Sequence, residues 1–181
     1  MEQGKYLVVL SLPQDLQADL DVLRKKYNPD GYKRSLSHFT LVPPFTSHSS
    51  TRQIIAQLKV ICDSVKPFYF YLEGVNITFP KDIIALKTSN SKNLGRLAKR
   101  LALPLRPLME KDGQSRLGRL LKRTFRPHIT VAAKHLTETD KELEKVLTKR
   151  FNNYPPHCEG VELWRLEGEH WKSIKKVCFT A

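Results

Sequence analysis

Apolar positions along the chain change period several times, and each change marks an element. Residues 5–12 hold Val8, Val9 and Leu10 in one run, the mark of a buried strand. Past Pro13, Leu16, Leu20 and Leu23 recur on one face, which predicts a helix to about residue 27 with the proline in its first turn. Asn28-Pro29-Asp30-Gly31 reads as a turn. An alternating strand follows around residues 38–42, and Pro43-Pro44 is expected to stop it. Ser49, Ser50 or Thr51 caps the next helix, striped by Ile54, Ile55, Leu58, Ile61 and Cys62. An aromatic-rich strand covers 68–72 and resumes after Gly74 over 75–79.

The order then starts again. Ile83, Ile84, Ala85 and Leu86 predict a strand over 82–88, and Leu94, Leu97, Ala98 and Leu101 a helix. Residues 104–125 read as basic and irregular, with room for one short helix. A second alternating strand begins at His128. A helix over about 140–151 buries Leu143, Val146 and Leu147, with Thr139 and Glu142 spaced as a capping box. Strands at 160–166 and 171–179 close the chain as a hairpin through Glu167-Gly168-Glu169. Each half therefore reads strand, helix, strand, helix, strand. That repeat predicts an α+β fold of two pseudo-symmetric lobes, each an antiparallel sheet flanked by helices, around a central cleft. Residues 1–181 form one bilobal domain, its repeats falling near 1–80 and 81–181 with interleaving allowed.

The two alternating strands carry the chemistry. His38-Phe39-Thr40-Leu41 and His128-Ile129-Thr130-Val131 have one form, 90 residues apart. Side chains two apart on a strand share a face, so each strand shows His and Thr on one side and buries its apolar residues on the other. The repeat brings both pairs to one cleft. Two imidazoles can remove a proton from a nucleophile and supply one to a leaving oxygen at neutral pH. Thr40 and Thr130 then donate hydrogen bonds to the phosphate oxygens. No carboxylate cluster near either motif suggests a two-metal site, so the reading needs neither metal nor cofactor. The other histidines (His48, His135, His157 and His170) lack a Thr two residues on and are assigned no role.

Composition adds a partner. About 40% apolar and 27% charged residues is ordinary for a globular chain, and no apolar run is long enough to span a membrane. Three widely separated cysteines, Cys62, Cys158 and Cys178, form no paired motif, which suits reduced thiols in the cytoplasm. Net charge is +13, and residues 92–126 carry eleven Lys and Arg against Glu110 and Asp112 alone. Such density before the second motif suits a polyanion, RNA or DNA, with a solvated basic face that binds no partner as the other reading. Arg126 shares the strand face of His128 and is a candidate phosphate contact. Phe45 and Phe125 are candidates to stack a base, with burial in the core as the favoured alternative. Arg116, Arg119, Lys122 and Arg123 are spaced to track an RNA backbone.

These motifs resemble those of the 2H phosphoesterase superfamily, which includes 2′-5′ RNA ligase-like proteins and cyclic nucleotide phosphodiesterases. Residues 37–45 look like its first motif and 125–132 like its second. The resemblance spans nearly the whole chain. Where relatives often place Arg after the second motif, this chain has Ala132-Ala133-Lys134, and Lys134 is the candidate substitute. The resemblance implies hydrolysis of 2′,3′-cyclic phosphate ends of RNA to 2′-phosphates, with 2′-5′ ligation where a 5′-hydroxyl of RNA replaces water. The alternatives are a phosphodiesterase for small 2′-5′ or cyclic nucleotides and a non-catalytic RNA-binding module. A cleft built within one chain predicts a monomer.

Overall fold

Alternation along the first strand sets the layers of the molecule. A computed structural model describes residues 3–78, 83–89, 91–122, 127–133 and 139–181, with the side chains of 76–78, 91, 116–117, 119–122 and 139–140 left aside. In β1 (Gly4–Leu10), Tyr6, Val8 and Leu10 bury into a large apolar cluster, while Leu7 and Val9 bury into a small second one with Trp164. Successive strand side chains point to opposite faces, so the two clusters lie on opposite faces of one sheet.

That sheet has seven strands in the order β4-β5-β6-β2-β1-β8-β9, every pair antiparallel. The strands are β2 (Phe39–Ser47), β4 (Leu72–Thr78), β5 (Ile83–Thr88), β6 (His128–Ala133), β8 (Gly160–Glu167) and β9 (His170–Cys178). The short β3 (Phe68–Tyr69) and β7 (His157–Cys158) pair separately. The class is α+β. Strand β4 pairs with β5 across residue 80, and the β8–β9 hairpin returns to β1.

The helices are α1 (Gln14–Tyr27), α2 (Pro29–Arg34), α3 (Thr51–Cys62), α4 (Ser91–Leu105), α5 (Lys111–Lys122) and α6 (Thr139–Phe151). Leu16 and Leu20, Ile54 and Leu58, Leu94 and Leu101, and Leu143 and Leu147 all enter the large cluster. Four helices thus cover one face, while buried Leu7, Val9 and Trp164 and half-buried Trp171 lie on the other. Among the described residues no helix is long and apolar enough to cross a membrane.

Four expectations change. Val146, expected to be buried with Leu143 and Leu147, is 37% exposed on α6. Asn28-Pro29-Asp30-Gly31 is the first turn of α2: the Asn28 side chain accepts from the Gly31 N–H at 3.0 Å, with Pro29 at the start. An Asx cap and an N1 proline use the same residues as a turn, which is why the two look alike in sequence. Pro43-Pro44 does not stop β2. Val42 pairs with Val8 and Phe45 with Tyr6, so both prolines lie opposite Leu7 alone, in a bulge that requires no ladder N–H from them. Residues 104–125 are more regular than their composition predicts. Helix α4 runs through Pro104, Arg106–Leu108 forms a 3₁₀ turn, and α5 adds twelve helical residues. On α3, Ser50 proves to be the cap, in a reciprocal box with Gln53. The side chain of Thr139 lies outside the described residues.

Candidate active site

Strands β2 and β6 meet at the centre of the sheet with Phe39 opposite Ile129. Both are fully buried in the large cluster, so their sequence neighbours take the open face. One step either way along that antiparallel register puts His38 across from Thr130 and Thr40 across from His128. Directly opposed strand residues lie about 5 Å apart and diagonal ones about 7–8 Å. The four side chains named from the sequence therefore form one small quadrilateral on one face. Thr40 also pairs with Val9, Thr130 with Ala85, and His128 with Lys87.

The two histidines have different surroundings. His38 is half-buried, its ring tilted against Trp164 with centroids 5.2 Å apart. Its Nδ1 lies 2.8 Å from the Leu36 carbonyl oxygen. A neutral imidazole there donates from Nδ1, which leaves Nε2 with a free lone pair. Burial pushes His38 down to about 4; the nearby charges of Arg24 and His128 act in the same direction, while the Leu36 bond and Asp21 oppose them. His128 is exposed at the start of β6.

Arg24 supports His38 from behind. It is 4% exposed, and its Nη1 donates to the same Leu36 oxygen at 2.8 Å. Its Nη2 reaches Ser35 Oγ at 3.5 Å, and neighbouring Asp21 accepts from the Ser37 N–H at 2.6 Å. The loop before His38 is thus tied to α1 at three consecutive residues. Sequence reasoning missed Arg24, yet it left a signal. Leu16, Leu20 and Arg24 are the buried stripe of α1, a cation at an i+8 position where the pattern asks for an apolar residue.

Other candidates divide. Phe45 is 1% exposed and packs on Tyr6, so it belongs to the core and cannot stack a base. Arg116, Arg119 and Lys122 lie on α5, their side chains not described. Arg123, Phe125, Arg126 and Lys134 lie outside the described residues. Lys92, Arg96, Lys99 and Arg100 are exposed on α4, which covers the helical face, away from His38 and His128. Among the described residues, the α4 part of the dense basic segment is not gathered at the motifs in space. Lys87, which the sequence reading did not single out, is the exposed cation that the register sets opposite His128. Its only sequence signal was one polar residue at the end of an apolar strand.

Comparison with known proteins fits this geometry. The fold matches the crystal structure of TT0787 from Thermus thermophilus with a TM-score of 0.66 at 19% identity, over 98% of each chain. It also matches E. coli LigT in its apo form with a TM-score of 0.60 at 16% identity, over the whole of both chains. No curated protein sequence matches significantly. The model of the 2′-5′ RNA ligase superfamily matches residues 12–170, a span that includes both His-x-Thr strands. The chain therefore belongs to the 2′-5′ RNA ligase superfamily.

Proposed function

We propose that this protein is a metal-independent phosphodiesterase that opens 2′,3′-cyclic phosphate ends of RNA to 2′-phosphates, with 2′-5′ ligation when an RNA 5′-hydroxyl takes the place of water. The observation that carries the reading is the β2–β6 register, which sets two imidazoles and two threonine hydroxyls on one open face. E. coli LigT, a protein of the same fold, has been crystallised with phosphate and with 3′-AMP.

His38 is the base. It is neutral at working pH, its Nδ1–H is fixed on Leu36, and its Nε2 lone pair takes a proton from water. The water oxygen bonds to phosphorus and the bond to the 3′-oxygen breaks. Protonated His128 gives its proton to that oxygen, and a 2′-phosphate remains. Thr40 and Thr130 donate to the non-bridging oxygens as negative charge builds on them. When a 5′-hydroxyl replaces water, the same transfers produce a 2′-5′ linkage. All four groups come from one chain, which supports a monomer. Three unpaired cysteines, two of them buried, support a reducing cytoplasmic setting.

The test is turnover of adenosine 2′,3′-cyclic phosphate in EDTA by wild-type protein, His38→Ala and His128→Ala. The reading expects EDTA-resistant turnover that falls by about 10²- to 10⁴-fold in each variant. Turnover abolished by EDTA, or retained in both variants, would sink it. An RNA-binding module without catalysis would bind RNA and turn nothing over.

A further inference from the structure

A cavity of about 500 Å³ opens beside His38 and has no part in the reaction above. It lies between α2, the loop at Ser35 and Leu36, and the β8–β9 hairpin. Trp164 is shared: its ring touches His38 and also lines the cavity. Half-buried Trp171, on β9, and Tyr32, on α2, also line it. Trp164 and Trp171 are the only two tryptophans of the chain. Exposed Lys33, Arg34 and Lys172 stand at the rim, Lys172 held by Glu167 at 2.8 Å. The Lys33 carbonyl also lies 2.6 Å from Nδ1 of His170, which ties α2 to the hairpin and forms the cavity in advance.

The lining selects its occupant. Its volume is that of a small-molecule site, about 300–1,000 Å³. Aromatic walls accept any flat ring, and stacking does not depend on base identity. Glu162 also faces the space, its oxygens accepting from Ser11 Oγ, Ser173 Oγ and Trp164 Nε1. That fixed carboxylate repels a bare anion bound deep inside, while the rim cations attract a phosphodiester at the mouth. A nucleoside with a flanking phosphate meets both conditions. The cavity adjoins His38 through one indole ring, so its occupant would neighbour a nucleotide whose cyclic phosphate sits at the two histidines.

We propose that this cavity binds the nucleotide preceding the cyclic-phosphate end of an RNA chain, its base against Trp171 and its phosphodiester at Lys33 and Arg34. The inference rests on the reading of His38 and His128 as the phosphate site, and it names the substrate as a polymer end rather than a mononucleotide. The basic segment at 92–106 is not needed for it.

Both tryptophans line the cavity, so intrinsic fluorescence reports occupancy whether or not turnover occurs. His128→Ala protein is titrated with adenosine 2′,3′-cyclic phosphate, the same compound with a 5′-phosphate, and adenylyl-(3′-5′)-adenosine 2′,3′-cyclic phosphate. The dinucleotide is expected to bind about tenfold or more tighter than either mononucleotide and to quench the tryptophans. Adding Trp171→Ala removes that advantage. Adding Arg34→Gln, at an exposed position that leaves packing intact, reduces it and weakens its salt dependence. Equal affinity for all three probes overturns the proposal. So does a gain from the 5′-phosphate alone, or an advantage that survives Trp171→Ala. Dinucleotide preference in a protein whose wild type turns nothing over supports the cavity while rejecting the catalytic reading, so the two failures are distinguishable.

Discussion

Replacing Arg24 by methionine is expected to raise the pH at which His38 takes up a proton, because the two cations compete behind one carbonyl. Arg24 Nη1 and His38 Nδ1 each lie 2.8 Å from the Leu36 oxygen, so they cannot be more than about 5.6 Å apart. Two unit charges at about 5 Å repel by about 3 kcal/mol at an effective dielectric of about 20, equivalent to about two pH units. Solvent at the open edge of the His38 ring screens about half of this. Methionine also leaves the Leu36 carbonyl to His38 alone, which favours the imidazolium further. The His38 midpoint should therefore move from about 4 toward about 5. Arg24→Lys retains the charge and should stay near wild type. Methionine conserves bulk and removes a buried ion, so the stability cost of the lost hydrogen bonds is held to about 1–3 kcal/mol. Histidine NMR titration reads the midpoint directly, and the acid limb of kcat/KM reads its consequence. A folded Arg24→Met protein whose His38 midpoint does not move would refute the reasoning and leave Arg24 a packing residue.

Two further outcomes follow from the same geometry. Thr40→Val and Thr130→Val should each lower kcat by about 10²-fold with a smaller change in KM, because their hydrogen bonds strengthen as charge builds on the phosphate; steady-state kinetics checks the split. Folding stability should fall between pH 6.5 and about 4, where the unfolded chain binds a proton at His38 that the folded protein resists. Urea unfolding at pH 7 and at pH 4.5 should show a smaller difference in His38→Asn than in wild type.

Much of this site could be read before the structure because strands make simple rules. Period-two alternation fixes which way His38 and Thr40 point once Phe39 is known to be core, and the same holds around Ile129. Helix stripes were legible for the same reason. What escaped depended on partners distant in sequence. Pro43-Pro44 looked like a stop because the bulge opposite Leu7 exists only when β1 is beside β2. Phe45 could be read as core or as a base-stacking ring because nothing local shows Tyr6 lying against it. The different surroundings of the two histidines come from Arg24 and Trp164, one on α1 and one on β8, neither near a motif in sequence. Of the basic segment, the part on α4 spreads its exposed Lys and Arg over the helical face, while the register sets Lys87 opposite His128.

The claim that His38 and His128 divide the work as base and acid is tested most directly by the pH dependence of kcat/KM for adenosine 2′,3′-cyclic phosphate, with the product identified by phosphorus NMR. The free enzyme should give a two-limbed profile whose acid limb falls near pH 4, set by His38, and the sole product should be the 2′-phosphate. An acid limb near the ordinary histidine value of about 6.5, or a 3′-phosphate product, would contradict it.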